Sequence, residues 1–442
     1  MDRLMVPLLT LIAAGCLPVA DSACVPGMGM TCMLQSLNML TDGLNTLRTI
    51  QPNVFYSIRV DMLRVPSNPS GAFMIRIAEF VDNLEILVFH EKAFQILAGT
   101  SLSVVEVLDA KSLQQVLIGE NDIAISKLLF YSCMVDHIPP TIGNLPLLTE
   151  LTFSRCSIRN ISLNVFRKNL RLAFLDLSYN EIETIMPISS ADGEIPLAIE
   201  DLYLASNRLQ NLDFAAFASL SSLATIDLRN NNLMKLEAGR PITLSSMVML
   251  DIGDNQLSTI DLQWLSAPNL QRLMLHNNLL DKIPQRLRRF SNLKIVNFSN
   301  NKFTGIDLAP LNGLPMLNSI DVSNNPARYI RSSRPVRLPM LDTLYGEFCT
   351  LSRFNATGMD FPVVTFISLA HNNFSTIPPL GQSFPTVEAF SLFNNPISCN
   401  VLKARTDMIL SGKLIMGPPQ DPSDCPIGST KIADSFLLCC KA

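Results

Sequence analysis

Four histidines and ten cysteines are the side chains through which this chain could hold a metal or attack a bond. His90, His137, His276 and His371 stand at no metal-ligand spacing, and no GxSxG, HExxH, phosphate-loop or CxxC pattern occurs. Catalysis and cofactor binding have no residues to rest on, so the sequence reads as a binding protein and not an enzyme. Cysteine chemistry points to oxidation instead. Cys16 falls in an apolar leader. Of the other nine, Cys24, Cys32, Cys399, Cys425, Cys439 and Cys440 crowd the two ends of the remaining chain, while Cys133, Cys156 and Cys349 stand inside it. Clusters at the ends are what an open-ended array uses to staple its caps. Cys24 is expected to join Cys32, and Cys399 to join Cys425 or one of the terminal pair. An odd count leaves one thiol free or available to a second chain. Cys439 or Cys440, near the terminus, is placed to form a disulfide-linked dimer.

Asn160, Asn297, Asn355 and Asn373 each open an Asn-X-Ser/Thr sequon, the acceptor for a glycan in a secreted chain. The first residues supply that address. MDRLMVPLLTLIAAGCLPVADSA runs from Arg3 through an apolar core to small residues that permit cleavage, a signal-peptide layout over residues 1–22. Its apolar core is too short for a membrane anchor, and no later stretch is long and apolar enough to span a bilayer. The chain is therefore expected outside the cell. With a net charge of −4 and a pI near 5.7, nothing global draws it to nucleic acid or an anionic membrane.

The elements that would position a binding surface show in the chain's self-similarity. "LAFLDLSYNEIETI", residues 172–185, sets one asparagine, Asn180, among leucines and isoleucines. The same pattern recurs around Asn207, Asn231, Asn255, Asn278, Asn301, Asn325, Asn372 and Asn395, with cysteine in the asparagine slot at Cys133, Cys156 and Cys349. Successive anchors lie from 23 residues apart (Cys133 to Cys156) to 27 apart (Asn180 to Asn207). LxxLxLxx(N/C)xL at this period is the leucine-rich repeat, and the resemblance covers about residues 125–399.

The implied fold is an α/β leucine-rich-repeat solenoid, a horseshoe whose concave side is a parallel sheet and whose two ends are cysteine-stapled caps. Its parts are read as a signal peptide over 1–22, an N-terminal cap with a helix over 23–57, degenerate repeats over 58–124, regular repeats over 125–399 and a C-terminal cap over 400–442. Leu34, Leu37, Leu40, Leu44 and Leu47, three or four residues apart, suggest the cap helix. Where each strand ends, the turning backbone leaves inward N–H and C=O groups, and an asparagine side chain has the donors and acceptor to meet them. Asparagines one repeat apart, stacked at strand spacing of about 5 Å, can form a ladder. Cysteine fits the slot because it is small and tolerates burial. Cys133 and Cys156, in adjacent repeats, are near enough to bridge, but the preferred reading is two buried free thiols.

Register also identifies outward positions on the concave sheet. From Leu129 to Ser391 the central position holds Thr152, Asp176, Tyr203, Asp227, Asp251, Met274, Asn297, Asp321, Tyr345 and Ser368 in between. Asp176, Tyr203, Asp227 and Asp251 make an acidic and aromatic stretch suited to a basic or mixed partner, although aspartate is also an ordinary soluble filler in an LDL strand. Asn297 falls in the same column, where a glycan would obstruct the surface. On the return side Arg286, Arg288 and Arg289, followed by Arg328, Arg331, Arg334 and Arg337, offer a basic patch for sulfated or phosphorylated groups or simply a solvated face.

The layout as a whole is similar to the secreted leucine-rich immune proteins of mosquitoes: a leader, twelve or so plain repeats, stapled ends and a double cysteine, Cys439-Cys440, after the last repeat. "HIPPTIGNLPLLTEL", from His137, resembles the plant-specific repeat instead, in this one unit. Better-known members of the mosquito family continue into coiled coils, whereas this chain reaches CCKA, so it looks like the coil-less kind. The resemblance implies a haemolymph factor that binds complement-like thioester proteins or pathogen surfaces. An extracellular-matrix or cell-surface adhesion protein is the alternative from a different class.

Overall fold

The computed structural model describes residues 24–27, 30–50, 55–65, 71–188, 196–417, 429–433 and 436–440. The expected signal peptide over 1–22, with Cys16, and Cys425 in the expected C-terminal cap lie outside the described residues.

Seventeen strands pair in parallel, each with the next repeat, from Thr31–Asn38 to Leu414–Ile415, and Val25–Pro26 adds an antiparallel strand at the first edge. The protein is a leucine-rich-repeat solenoid with this sheet on its concave side. Strands of four or more residues occupy the N-terminal end, at Ser57–Arg64, Asn83–Phe89, Val104–Asp109, Lys127–Tyr131 and Glu150–Ser154. From Phe174–Asp176 onward most contract to three residues. In the short strands the middle residue, such as Leu175, Ile226 or Ile320, is fully buried, and its two neighbours face the concave side. That alternation is the period-two geometry of a strand applied once per coil. The resulting core is continuous, because each coil leaves its apolar face to be covered by the next.

The strand at Thr31–Asn38 corrects the expected cap helix. Leu34 and Leu37 are buried strand residues, and helix is confined to Gly43–Arg48, where Leu47 is buried and Leu44 exposed. Spacings of three and four had two readings. In this strand the inward positions shift by one after Leu34, so Leu34 and Leu37 both face the core, and the pairing with Ser57–Arg64 determines the outcome. The first full coil is thus already part of the sheet.

After each strand of the main sheet from Lys127–Tyr131 to Ala389–Ser391 one residue adopts the left-handed region, from Ser132 and Arg155 through Tyr179, Ser206, Asn230, Asp254, Asn277, Asn300 and Asn324 to Asn394. It reverses the chain so that the following residue, the ladder position, points inward. Asparagine and aspartate tolerate this conformation best. Phe348 and His371 occupy it too, their rings stacked 4.1 Å apart.

The ladder asparagines are buried and make their bonds to backbone, not to one another. Asn231 accepts from Leu209 N–H at 3.1 Å and donates to the carbonyls of Leu204, Leu228 and Arg229. Asn180, Asn207, Asn255, Asn278, Asn301, Asn325, Asn372 and Asn395 repeat the arrangement. Each amide therefore ties its own coil to the one before. Cys133 and Cys156 depart from expectation: they are joined in a disulfide, not two free thiols. Identical ladder slots on neighbouring coils bring their Cα atoms to 4.4 Å with both side chains pointing inward, within bridging range. Cys24 joins Cys32 and Cys399 joins Cys440, so a disulfide lies near each end.

Candidate recognition surface

Strand pairing sets Asp176 beside Tyr203, Tyr203 beside Asp227, and Asp227 beside Asp251, so the four acidic and aromatic candidates form one column across adjacent coils. They do not share one environment. Asp176 and Tyr203 are half-buried, whereas Asp227 and Asp251 are 4% and 3% exposed. The recurrent aspartate is structural, because its Oδ1 accepts the N–H two residues on, from Ser178 for Asp176, Arg229 for Asp227, Gly253 for Asp251 and Ser323 for Asp321. This bond satisfies a donor where the strand gives way to the turn.

A second column, two residues further along each coil, contributes what sequence reasoning missed. Arg229 clamps Asp227 with Nε at 3.0 and 3.1 Å and Nη2 at 2.7 Å, and its Nε lies 3.5 Å from Asp251. These bonds hold the guanidinium firmly protonated. Gly253 comes next, and His276 lies across it: a Cβ at Gly253 would stand 2.2 Å from the imidazole. His276 Nε2 is 3.4 Å from Asp254, and its Nδ1 is buried without a hydrogen-bond partner among the described residues. The signal for Arg229 and His276 was present, since the repeat register marks both as outward positions.

Carboxylates dominate this half of the concave face. Burial raises the Glu106 carboxyl above the ordinary range, and Glu85 and Glu150 raise it further against the pull of Arg59. Burial likewise raises the Tyr203 phenol, helped by Asp201, Asp227 and Asp176. Burial pushes Asp251 upward as well, with Asp227 adding to it, while the Gly253 N–H, His276 and Arg229 oppose the shift. Three cations answer in part: Arg59 at 3.5 Å from Glu85, Lys127 at 2.6 Å from Glu150, and Arg229. Tyr203 rests against Phe174 with ring centroids 5.2 Å apart, an apolar spot among the charges.

Past Asp251 the column runs on through Met274, Asn297, Asp321, Tyr345, Ser368 and Ser391. Asn297 is half-buried there, and its Oδ1 accepts from both N–H and Oγ of Ser299, the hydroxyl residue of its own sequon. Asn160, Asn355 and Asn373 are exposed, Asn160 on a short parallel pair outside the main sheet.

The arginines do not form one free patch. Arg286 and Arg289 donate to Gln263, Arg331 lies over the Tyr329 ring at 5.1 Å, and Arg337 pairs with Asp360 at 2.5 Å. Arg288, Arg328 and Arg334 are exposed, without an ion pair among the described residues. The segments carrying Arg286–Arg289 and Arg334–Arg337 are two coils apart, and Arg337 N–H reaches only the Asn312 side chain of the coil between.

Among the described residues no group of histidine, cysteine and carboxylate side chains is arranged to hold a metal ion, and no helix is long and apolar enough to cross a membrane. The leucine rich repeat family matches residues 198–257 and 268–326. Human podocan-like protein 1 is 29% identical over 182 residues, 39% of this chain and 29% of that protein. The rat volume-regulated anion channel subunit LRRC8D is 28% identical over 186 residues, 42% of this chain and 18% of that protein. The chain thus spans less than a third of the curated relatives it matches. Among solved structures, the leucine-rich repeat domain of mosquito APL1 superposes with a TM-score of 0.60 at 18% identity, covering 95% of this chain and 99% of that one. The mosquito LRIM1/APL1C complex gives 0.55 at 18% identity, over 95% and 71%.

Proposed function

We propose that the chain is a secreted, non-catalytic recognition protein of innate immunity that binds a protein partner across the concave face between Glu85 and Asp251. Solenoids of this fold bind chiefly through that face. The observation carrying the reading is the surface itself: Glu85, Glu106, Glu150 and Asp176 on the concave face, only partly answered by cations, with Tyr203 and Phe174 beside them. Such a surface fits a basic or mixed partner, steers its approach and gives it one aromatic anchor. Resemblance to the mosquito immune proteins makes a complement-like thioester protein the first candidate and a pathogen surface protein the second. That LRIM1 and APL1C form a complex supports a further part of the proposal, pairing with a related repeat protein; a disulfide from the terminal cysteines is the bond proposed for it here. The test is affinity capture. Tagged protein in infected body fluid should enrich a thioester protein, and a Tyr203→Ala, Asp176→Lys variant of unchanged melting temperature should lose it. Equal enrichment by both proteins would remove the concave face from the account.

A further inference from the structure

At the junction of the last repeats with the C-terminal cap lies a cleft of about 630 Å³, whose lining includes Phe390 of the sheet strand Ala389–Ser391 but no residue between Glu85 and Asp251. Ile377–Gln382 comes from a return loop, Arg405 to Met408 from the cap helix Thr406–Leu410 and the residue before it, and Lys413 leads into the last strand. The volume is that of a small-molecule pocket. Its walls divide by chemistry: Pro378, Pro379, Phe390 and Met408 are apolar, while Arg405 and Lys413 bring two cations and Asp407 one anion.

None of the three charged groups has an ion-pair partner among the described residues, although all three line one cleft. Arg405 and Asp407 are exposed, so water serves them. Lys413 is half-buried. Its side chain lies beside Gly381, whose Cβ position would be in ordinary van der Waals contact with it, 3.6 Å from Cε and 3.8 Å from Nζ, which places the ammonium at the cleft wall. A half-buried ammonium with no carboxylate in ion-pair contact among the described residues gains from an anion brought to it.

We propose that this cleft binds a monoanion carried on an apolar body, its acid group held by Lys413 and Arg405 and its apolar part laid against Pro378, Pro379 and Met408. The charge count favours one negative charge over two, because Asp407 cancels one of the two cations. Arginine supplies the planar fork that suits a carboxylate or sulfate, and lysine the point charge beside it. The site is independent of the concave face, so either can fail without the other.

Calorimetric titration of the full secreted chain with octanoate and octyl sulfate, against octanol and octylamine, tests this directly. Saturable binding of an anion, with octanol weaker by about tenfold or more and octylamine inactive, is expected. The stronger of the two anions identifies the acid group. Lys413→Met keeps the stem and removes the charge, and Arg405→Gln does the same on the exposed rim; each should weaken binding by about tenfold. Should Lys413→Met fold poorly, Arg405→Gln still decides, together with the Met408 methyl resonance, which should move on adding octanoate. Equal binding of octanol and octanoate, no loss in either folded variant, or a still Met408 methyl would overturn the proposal.

Discussion

Asn180 and Asn207 share one acceptor: each donates Nδ2 to the carbonyl of Leu177, both at 3.0 Å. One amide belongs to the same coil as Leu177 and the other to the next. The asparagine ladder is therefore a set of backbone staples, in which each side chain closes its own turn and fastens it to the turn before. Removing a rung should affect two coils at once. Asn231→Leu leaves the Leu209 N–H without its partner, at about 1 to 3 kcal/mol for a buried donor, and takes from the Leu204 and Leu228 carbonyls one of the two amides each accepts. The expected result is a lower melting temperature and a lower secreted yield. Wild-type values for both would refute the staple.

Cys349 shows what a weaker rung looks like. Every asparagine rung accepts the N–H two residues beyond the preceding rung, and for position 349 that donor is the Ala327 N–H, which makes no hydrogen bond among those described. The sulfur instead takes the Asn325 N–H at 3.5 Å and points its own weak donor at Glu347 and Val322. Cys349→Asn should supply the missing acceptor and stabilise the chain by about 0.5 to 1.5 kcal/mol, read from denaturant unfolding. Burial also pushes the Cys349 thiol up to about 11, so in native wild-type protein it should resist Ellman's reagent at pH 8 and react once unfolded. Rapid labelling of the native thiol would contradict a half-buried rung with a raised thiol.

Much of this was legible in the chain. The period, the ladder positions and the concave column follow from spacing, because a repeat places equivalent residues in equivalent surroundings, and the clustering of cysteines marked both ends while leaving the partner of Cys399 open. What was not legible depends on neighbours that periodicity does not specify. Cys133 and Cys156 fit either a thiol or a disulfide by type, and only the 4.4 Å approach decides. Leu34 and Leu37 carry helical spacing yet sit on a strand, since pairing with Ser57–Arg64 overrides a local pattern. Asp227 looked like a soluble filler and is instead buried under Arg229, a partner only two residues away that lies outside the repeat consensus.

Asp251 makes stability depend on pH. Its carboxyl is raised in the folded chain, chiefly by burial, so between the unfolded value and the folded one the native state binds more protons than the unfolded state. Stability contributed there is present in acid and lost as pH rises through the folded value. Asp251→Asn keeps an acceptor for the Gly253 N–H and removes the charge. It should raise the melting temperature at pH 7 relative to wild type, with the gain shrinking as the pH is lowered. A uniform gain at all pH values would assign the effect to something other than titration.

The same shifts bear on the proposed partner. Glu106 and Asp251 take up protons at higher pH than ordinary carboxylates, so the concave face loses negative charge first at these two positions as pH falls. Affinity for a basic partner should therefore weaken on mild acidification, and should fall with added salt over the range where the Debye length drops from about 10 Å to about 3 Å. Surface plasmon resonance across both series reads the two effects separately. Affinity insensitive to both would mean that the contact is made elsewhere on the solenoid.

Cys440 is spoken for, because it joins Cys399 and ties the end of the chain to the short helix Cys399–Lys403. Of the vicinal pair, that leaves Cys439 as the cysteine for an intermolecular bridge, with Cys425 the candidate that would hold it within the chain. A fraction of freshly secreted protein should migrate as a disulfide-linked dimer on non-reducing gels. Cys439→Ser should abolish that band without moving the melting temperature, whereas Cys440→Ser, which opens the Cys399 bridge, should lower stability by about 2 to 4 kcal/mol. A monomeric wild type, with Cys425 and Cys439 recovered in one disulfide-linked peptide by mass spectrometry, would show that the terminal cysteines close the cap and bind no second chain.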